Sequence, residues 1–219
     1  MSNTPRTIGR AVSVAALVLG LAVGAEGQVG DSGGVVNPNL AGVDELRGLP
    51  HLTGPIVDGL MEHRPFLSMT DLHAYLSASL TADQVMELYA RLFVPINLNT
   101  APRAEILLVP GVGDRTAHEF EEYRPYRALA QFRREMGKYV DDDEVTRFER
   151  YVFVPINLNT ASDEAILSIP GVGRRMLHEF KEYRPYRAIE QFRREIGKYV
   201  DDNEVARFER YVVVEWPPR

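Results

Sequence analysis

The sequence predicts an all-α protein built from three tandem units of about sixty residues. Two observations carry this prediction: the chain matches itself at a fixed offset, and apolar residues recur at helical spacing within each unit. Residues 96–155 and 156–215 align without a gap and are identical at 43 of 60 positions. A weaker third copy occupies 36–95, where Arg64-Pro65-Phe66 aligns with Arg124-Pro125-Tyr126. A constant period of this length sets the architecture before any single residue does.

An export signal is predicted at residues 1–25. Two arginines precede about fifteen apolar residues that end in small residues, and Val23-x-Ala25 offers a cleavage site. The run is shorter than the about twenty residues that a membrane span needs. We therefore expect a periplasmic or secreted protein with no stable membrane span after processing; a buried N-terminal helix and an uncleaved anchor are the alternatives. Residues 26–35 are interpreted as a flexible polar lead-in, and 216–219 as a tail.

Composition narrows the classes of function. The chain has no cysteine, which excludes disulfides and thiolate metal sites. The formal net charge is −6. Counted by unit, 36–95 has 3 basic and 7 acidic residues, 96–155 has 9 and 11, and 156–215 has 10 and 11. None of the units is the basic module expected of a strong nucleic-acid binder, although the last is the least repelled by a polyanion.

The unit 156–215 predicts four helices arranged as two helical hairpins. Thr160 is the expected N-cap of the first helix, with Asp163 near its positive end. Pro170 ends that helix. The second and third helices carry apolar residues three and four positions apart, and Asp201 or Asp202 caps the fourth. The residues expected to face the core are Ala165, Ile166, Ile169, Met176, Leu177, Phe180, Tyr183, Ile189, Phe192, Ile196, Val205, Phe208, Tyr211 and Val212. We expect the mature chain to be helical throughout.

The turn between the first two helices carries the most specific chemistry. Gly171-Val172-Gly173 places two glycines around one apolar residue, which permits unusual backbone angles and lets a ligand approach bare backbone. The N–H groups of the turn and of the next helical residues are expected to lack partners in the chain, and the helix dipole adds positive potential. Arg174 and Arg175 follow directly and could reach the same or a neighbouring phosphate.

The segments LSIPGVGRRMLHEFKEYR and LLVPGVGDRTAHEFEEYR closely resemble the helix-hairpin-helix motif. The preceding NLNTA resembles the ComEA-like form of this SAM-like fold; ComEA proteins are exported DNA receptors of natural transformation (competence). The resemblance covers 96–155 and 156–215 fully and 36–95 weakly. It implies that hairpin N–H groups bind a phosphate of double-stranded DNA, with a monovalent cation held by hairpin carbonyls when DNA is bound and no other cofactor. The implied phosphate-binding residues, with the adjoining arginines, are Gly111, Val112, Gly113, Arg115, Gly171, Val172, Gly173, Arg174 and Arg175.

The three copies differ at the hairpin. The first unit reads Pro50-His51-Leu52-Thr53 and has lost both glycines, so it is expected to be a degenerate, structural copy. In the second unit Asp114 replaces Arg174, which places a carboxylate beside the proposed phosphate and predicts a lower affinity. The glycine turn has a plainer interpretation, since it would also serve as a tight turn that lets two helices pack.

Other candidate contacts have two interpretations each. Arg193, Arg194 and Lys198, like Arg133, Arg134 and Lys138, would form either a second phosphate patch or a solvated ion-pair face. The segment 183–186 (YRPY) would either stack on a base or pack at a helix end.

No enzyme is predicted. The five histidines have no metal-ligand spacing, and no nucleophile–histidine or paired-carboxylate arrangement recurs. The leading hypothesis is an exported protein that binds double-stranded DNA without sequence preference, with a role in DNA uptake. The alternative is a periplasmic scaffold whose repeats bind another protein and not DNA.

Overall fold

The computed structural model describes residues 28–215, and this part of the chain is mostly helical, as the sequence predicts. The predicted signal 1–25 and tail 216–219 lie outside it. Within 28–215, no helix is long and apolar enough to cross a membrane. The helices are α1 (Val43–Arg47), α2 (Gly54–Glu62), α3 (Met69–Ser77), α4 (Ala82–Tyr89), α5 (Arg103–Ile106), α6 (Asp114–Glu122), α7 (Leu129–Met136), α8 (Asp142–Glu149), α9 (Asp163–Leu167), α10 (Arg174–Glu182), α11 (Ile189–Ile196) and α12 (Asp202–Glu209).

The helices of 156–215 begin sixty residues after those of 96–155 and end within one residue of the same offset. They pack in successive pairs, α5 with α6, α7 with α8, α9 with α10 and α11 with α12. We refer to 36–95, 96–155 and 156–215 as the first, second and third units. Each of the last two is therefore a pair of helical hairpins.

Polar residues fix several helix starts. Asp141 and Asp201 accept hydrogen bonds from the N–H groups of Glu144 and Glu204, as expected for the fourth helix of each unit. The prediction that Thr160 caps α9 is wrong. Ser162, two residues later, accepts the N–H of Ala165 at 3.2 Å, because Asn157-Leu158-Asn159-Thr160 is taken up by a turn before the helix begins.

Aromatic rings form the centre of the last two units. Phe120 packs edge-on against Phe132 and Phe148, at centroid distances of 5.0 and 5.7 Å. Phe180, Phe192 and Phe208 repeat the arrangement at 5.1 and 5.7 Å. In the first unit the aligned positions are the buried leucines Leu60, Leu72 and Leu88. The same three contact positions therefore support an aliphatic and an aromatic core.

Two-residue strands, which the expectation of a wholly helical chain missed, close the units. β1 (Ile96–Asn97) pairs in parallel with β2 (Val152–Phe153), and β3 (Ile156–Asn157) pairs with β4 (Val212–Val213). The start of each unit is thus bonded to its own end. Strands this short carry no alternating pattern that would separate them from a loop in the sequence.

In each unit, an asparagine side chain forms hydrogen bonds with the backbone of a residue 27 positions later in the chain. The Asn99 amide group donates to the carbonyl of Tyr126 at 2.9 Å and accepts the N–H of Tyr126 at 2.6 Å. Asn159 holds Tyr186 in the same way, and Asn39 holds Phe66. The second asparagine of the NLN segment is therefore a structural residue.

Residues 28–30 of the predicted flexible lead-in pack against the rest of the chain, whereas residues 31–34 are exposed. Val29 forms an antiparallel bridge with Phe153 of β2, and the N–H of Gln28 donates to Ser168 of the third unit at 3.2 Å. The outer edge of β2 offers backbone groups for this pairing, which a polar, glycine-rich composition does not reveal. Further along the chain, Phe93 packs on Tyr151 at a centroid distance of 4.9 Å, which joins the first unit to the second.

Candidate functional site

In each of the two glycine hairpins, Pro110–Gly113 and Pro170–Gly173, the first glycine has the left-handed backbone conformation. The φ angles of Gly111 and Gly171 are 83° and 81°, in the region that residues with a Cβ rarely occupy. We call these segments the second and third hairpins after their units. The first glycine of each is accounted for by the turn itself, as the tight-turn interpretation holds.

An arginine lies directly behind each first glycine. A Cβ placed on Gly171 would lie 2.6 Å from Nη2 of Arg207, and one placed on Gly111 would lie 2.6 Å from Nη2 of Arg147. Arg207 is buried, and its Nη1 donates to the carbonyl of Pro170 at 2.5 Å while Nε donates to Glu204 at 2.7 Å. The side chain of Arg147 is 41% exposed. The third hairpin is therefore held from behind more tightly than the second.

In the first unit, other residues occupy the positions of this glycine and this arginine. His51 stands where the other units have glycine and has a φ of 64°. Glu87 stands where they have arginine, and the two side chains meet at 2.8 Å between Nε2 and Oε2. Thus a His–Glu pair replaces a Gly–Arg pair, and the first unit keeps the turn while closing the space that a glycine leaves.

The second glycine of each hairpin is not required by the backbone. Gly113 and Gly173 are extended, with φ of −102° and −99°, and a Cβ on either would have nothing within 4 Å. Both are exposed N-caps, of α6 and α10, and neither supplies a side chain to the free N–H groups. Because Ser, Thr or Asp stabilises a helix at this position, glycine here leaves an uncapped helix start facing open space.

The expectation that all hairpin N–H groups are free is wrong for the valines. The N–H of Val112 donates to the carbonyl of Val109, and that of Val172 donates to Ile169, both at 3.0 Å. Both valine side chains are buried. The valine anchors the turn in the core, so the N–H groups left for a ligand are those of the glycines and the first helical residues.

The predicted basic residues at the hairpins are exposed. Within residues 28–215, Arg115, Arg174 and Arg175 form no ion pair. Asp114, by contrast, is engaged, because Arg103 donates to its carbonyl at 2.8 Å and to its carboxylate at 3.0 Å. The second hairpin therefore presents one free arginine beside a paired aspartate, and the third hairpin presents two free arginines.

An ion pair with opposite polarity in the two units explains part of this difference. Arg103 Nη1 lies 2.9 Å from Oε2 of Glu121 in the second unit. The aligned residues of the third unit are Asp163 and Lys181, which meet at 2.5 Å with the charges exchanged. Sequence reasoning missed this pair, although two aligned charge reversals eighteen residues apart are a readable signal.

The other basic cluster is an ion-pair face, in agreement with the plainer interpretation. Arg193 forms two hydrogen bonds with the carboxylate of Glu209, at 2.6 and 2.5 Å. Glu195 accepts from Lys198 and Arg194, and these two bonds, in that order, hold the pKa of Glu195 below its ordinary value. All three basic side chains of this cluster are therefore engaged with carboxylates of the same unit.

The tyrosine–arginine segment is also structural. Tyr126 and Tyr186 are buried, so neither ring is available to stack on a base. Arg184 donates to the carbonyl of Ala161 at 2.9 Å, as Arg124 does to Ala101 at 2.7 Å. Helix-end packing is confirmed for these residues.

No cluster of histidine and carboxylate side chains suited to a metal ion occurs between residues 28 and 215. At the third hairpin the carbonyl of Pro170 accepts from the Arg207 guanidinium, and the monovalent cation implied by the resemblance stays a prediction.

Comparison of the chain with protein-family models, with curated proteins and with solved structures found no match.

Proposed function

We propose that this chain is an exported, non-enzymatic protein of tandem helix-hairpin-helix units, similar to the ComEA family, that binds double-stranded DNA without sequence preference. The observation that carries the proposal is the third hairpin. Gly173 leaves the start of α10 uncapped and open, and the exposed Arg174 and Arg175 follow at once.

A phosphate is the ligand that this arrangement suits. The free N–H groups at the start of α10 point outward along the helix axis, and the helix dipole adds about half a positive charge there. A phosphate oxygen would complete the hydrogen bonding that a capping side chain otherwise supplies. Arg174 and Arg175 would then contact the same or the adjoining phosphate, which positions DNA without reading its sequence.

The expected binding is weak to moderate and depends steeply on salt. The chain has a net charge of −6, and the excess of acid is concentrated in the first unit, whose net charge is −4. Phosphate contacts release counterions, so each adds about −0.9 to the slope of log affinity against log salt. The second hairpin contributes less, because its Asp114 is acidic and tied to Arg103. We propose the third hairpin as the principal site, and the proposed export together with the resemblance to ComEA proteins supports a role in DNA uptake.

Fluorescence anisotropy of a labelled duplex of about 30 base pairs, at roughly 50 and 200 mM salt, tests the proposal. The key variant is Arg174→Gln/Arg175→Gln. Its charge-matched control is Arg91→Gln/Arg127→Gln, which removes two exposed arginines outside the hairpins. We expect the hairpin variant to lose about two units of salt slope and the control to lose much less.

The alternative function is a scaffold that binds another protein. It is favoured by the first unit, which is acidic and has the His51–Glu87 pair in place of an open hairpin. Absence of duplex binding by the folded wild type at low salt would support the scaffold. Equal losses in the two arginine variants would mean that net charge, not the third hairpin, attracts the duplex.

A further inference from the structure

The outer edge of strand β2 is covered by the chain's own lead-in. Opposite the side that pairs with β1, the N–H of Val154 donates to the carbonyl of Gln28 at 2.9 Å, and the N–H of Gly30 approaches the carbonyl of Val152 at 3.5 Å. Val29 lies between these bonds, opposite Phe153. Residues 28–30 thus lie antiparallel to β2 and form a bridge with it at Val29.

The aligned edge of β4 offers the same backbone groups, and no segment of the described chain pairs with it. The sequences Tyr151-Val152-Phe153-Val154 and Tyr211-Val212-Val213-Val214 differ at one position. Within residues 28–215, the N–H of Val214 and the carbonyl of Val212 form no hydrogen bond. Phe153 is fully buried, whereas Val213 is 39% exposed. Among the described residues, the third unit therefore ends in a sheet edge that pairs with no other segment and has an apolar residue at its centre.

We infer that the β4 edge binds an extended segment of a partner protein, in which an apolar residue is followed by glycine. The lead-in indicates this chemistry. Val29 packs against the core of the third unit, and a Cβ on Gly30 would lie 1.9 Å from the carbonyl oxygen of Glu149, at the end of α8. Glu209 ends α12 at the aligned place beside β4, so the residue after the apolar one must again be glycine.

The contact is a modest one. The partner strand gains two main-chain hydrogen bonds, from the N–H of Val214 and to the carbonyl of Val212, and covers the Val213 side chain. On β2 the lead-in also bonds to Ser168 of the following unit, which β4 lacks in 28–215. A dissociation constant on the order of 1 mM is expected.

A peptide of residues 26–36 (EGQVGDSGGVV) is the probe, titrated into the ¹⁵N-labelled purified protein and followed by amide chemical shifts. We expect shifts centred on Val212, Val213 and Val214. Val214→Pro removes the edge N–H and should weaken binding by about fivefold or more, because one hydrogen bond is lost. Val214→Ala keeps the N–H and should bind as the wild type does. A peptide carrying Gly30→Val should not bind.

Three outcomes of the titration would overturn the inference. They are no shifts at 2 mM peptide, roughly an upper limit for a contact of this size, equal binding by the proline and alanine variants, and equal binding of the Gly30→Val peptide. A purified dimer that dissociates in Val214→Pro would identify a second copy as the occupant, and so would also overturn it. None of these outcomes depends on whether the third hairpin binds DNA.

Discussion

Arg207 and Gly171 are fitted to each other in the third unit. The buried guanidinium passes so close to the glycine that a Cβ there would lie 2.6 Å from Nη2, and Nη1 donates to the carbonyl of Pro170. The side chain of Leu40, from the first unit, closes the other side at 3.2 Å from the same Cβ position. The fold therefore requires glycine at position 171, whereas the space around Gly173 would accept a side chain.

Gly171→Ala should therefore destabilise the fold, while Gly173→Ala should not do so strongly. Alanine at 171 meets a φ of 81° and two close neighbours, so a loss of at least about 1 kcal/mol is expected. Alanine at 173 enters open space on extended backbone. Urea unfolding followed by circular dichroism measures both. Equal losses would show that the two glycines have the same structural role.

Arg207→Ala should cost more stability than Arg147→Ala. Removing Arg207 leaves the Glu204 carboxylate and the Pro170 carbonyl without their buried partner, and because Glu204 is itself 33% exposed, a loss of about 1–3 kcal/mol is expected. The Arg147 side chain is 41% exposed, so the loss of its ion pair with Glu144 should cost under about 1 kcal/mol. The same urea unfolding assay compares them, and similar losses would contradict the difference in burial.

The second hairpin should gain affinity when it is given the charges of the third. The triple variant Arg103→Asp/Asp114→Arg/Glu121→Lys keeps an ion pair between positions 103 and 121 with its polarity exchanged, and frees an arginine at 114. On the proposed function, duplex affinity should rise and the salt slope should steepen by about one. The matched control is Arg103→Asp/Glu121→Lys, which leaves Asp114 in place. If the triple variant binds no better than this control, charge at position 114 does not limit the second hairpin.

The ion pairs of Glu195 should stabilise the fold less as the pH is lowered. Hydrogen bonds from Lys198 and then Arg194 lower the pKa of Glu195 from its ordinary value of 4.5. Because the pKa of Glu195 is lower in the folded than in the unfolded protein, the ionised carboxylate stabilises the fold at a pH above the unfolded-state pKa. This contribution is lost as the pH falls through the folded-state pKa. Lys198→Gln should raise the pKa of Glu195 toward 4.5, as measured by NMR titration of the carboxyl carbon. An unchanged titration would mean that Lys198 does not hold this carboxylate.

Much of the fold could be predicted from the sequence because local rules determine it. Helical spacing predicts α10 and α11, and the sequence offers Asp201 or Asp202 as the cap of α12, of which Asp201 is the cap. Thr160 and Ser162 are both good N-cap residues, so local preference does not separate them; the turn that decides is fixed by Asn159, which bonds to Tyr186, 27 residues away. The short parallel strands likewise depend on pairing between the two ends of a unit, which no local pattern records.

The candidate site was only partly readable. The glycines and arginines were identified from the sequence, but their separate roles were not. Sequence reasoning missed Arg207 because it lies 36 residues after Gly171. A signal existed, since both members of the aligned pair differ in the first unit, which has His51 and Glu87 in place of glycine and arginine. The sequence predicts free N–H groups at the valines because it does not show the hydrogen bonds to the carbonyls of Val109 and Ile169, three residues earlier, which form in the folded turn.

The most direct test of the DNA-binding account is the duplex affinity of Gly173→Asp. Aspartate is a good N-cap and would enter open space, so the urea midpoint should be unchanged or slightly higher, while its carboxylate occupies the N–H groups proposed for phosphate. Gly42→Asp is the matched control, since Gly42 is the open, uncapped N-cap of α1, outside any hairpin. The account predicts that Gly173→Asp loses duplex binding while Gly42→Asp keeps it. Equal affinities in these two folded variants would contradict a phosphate site at the third hairpin.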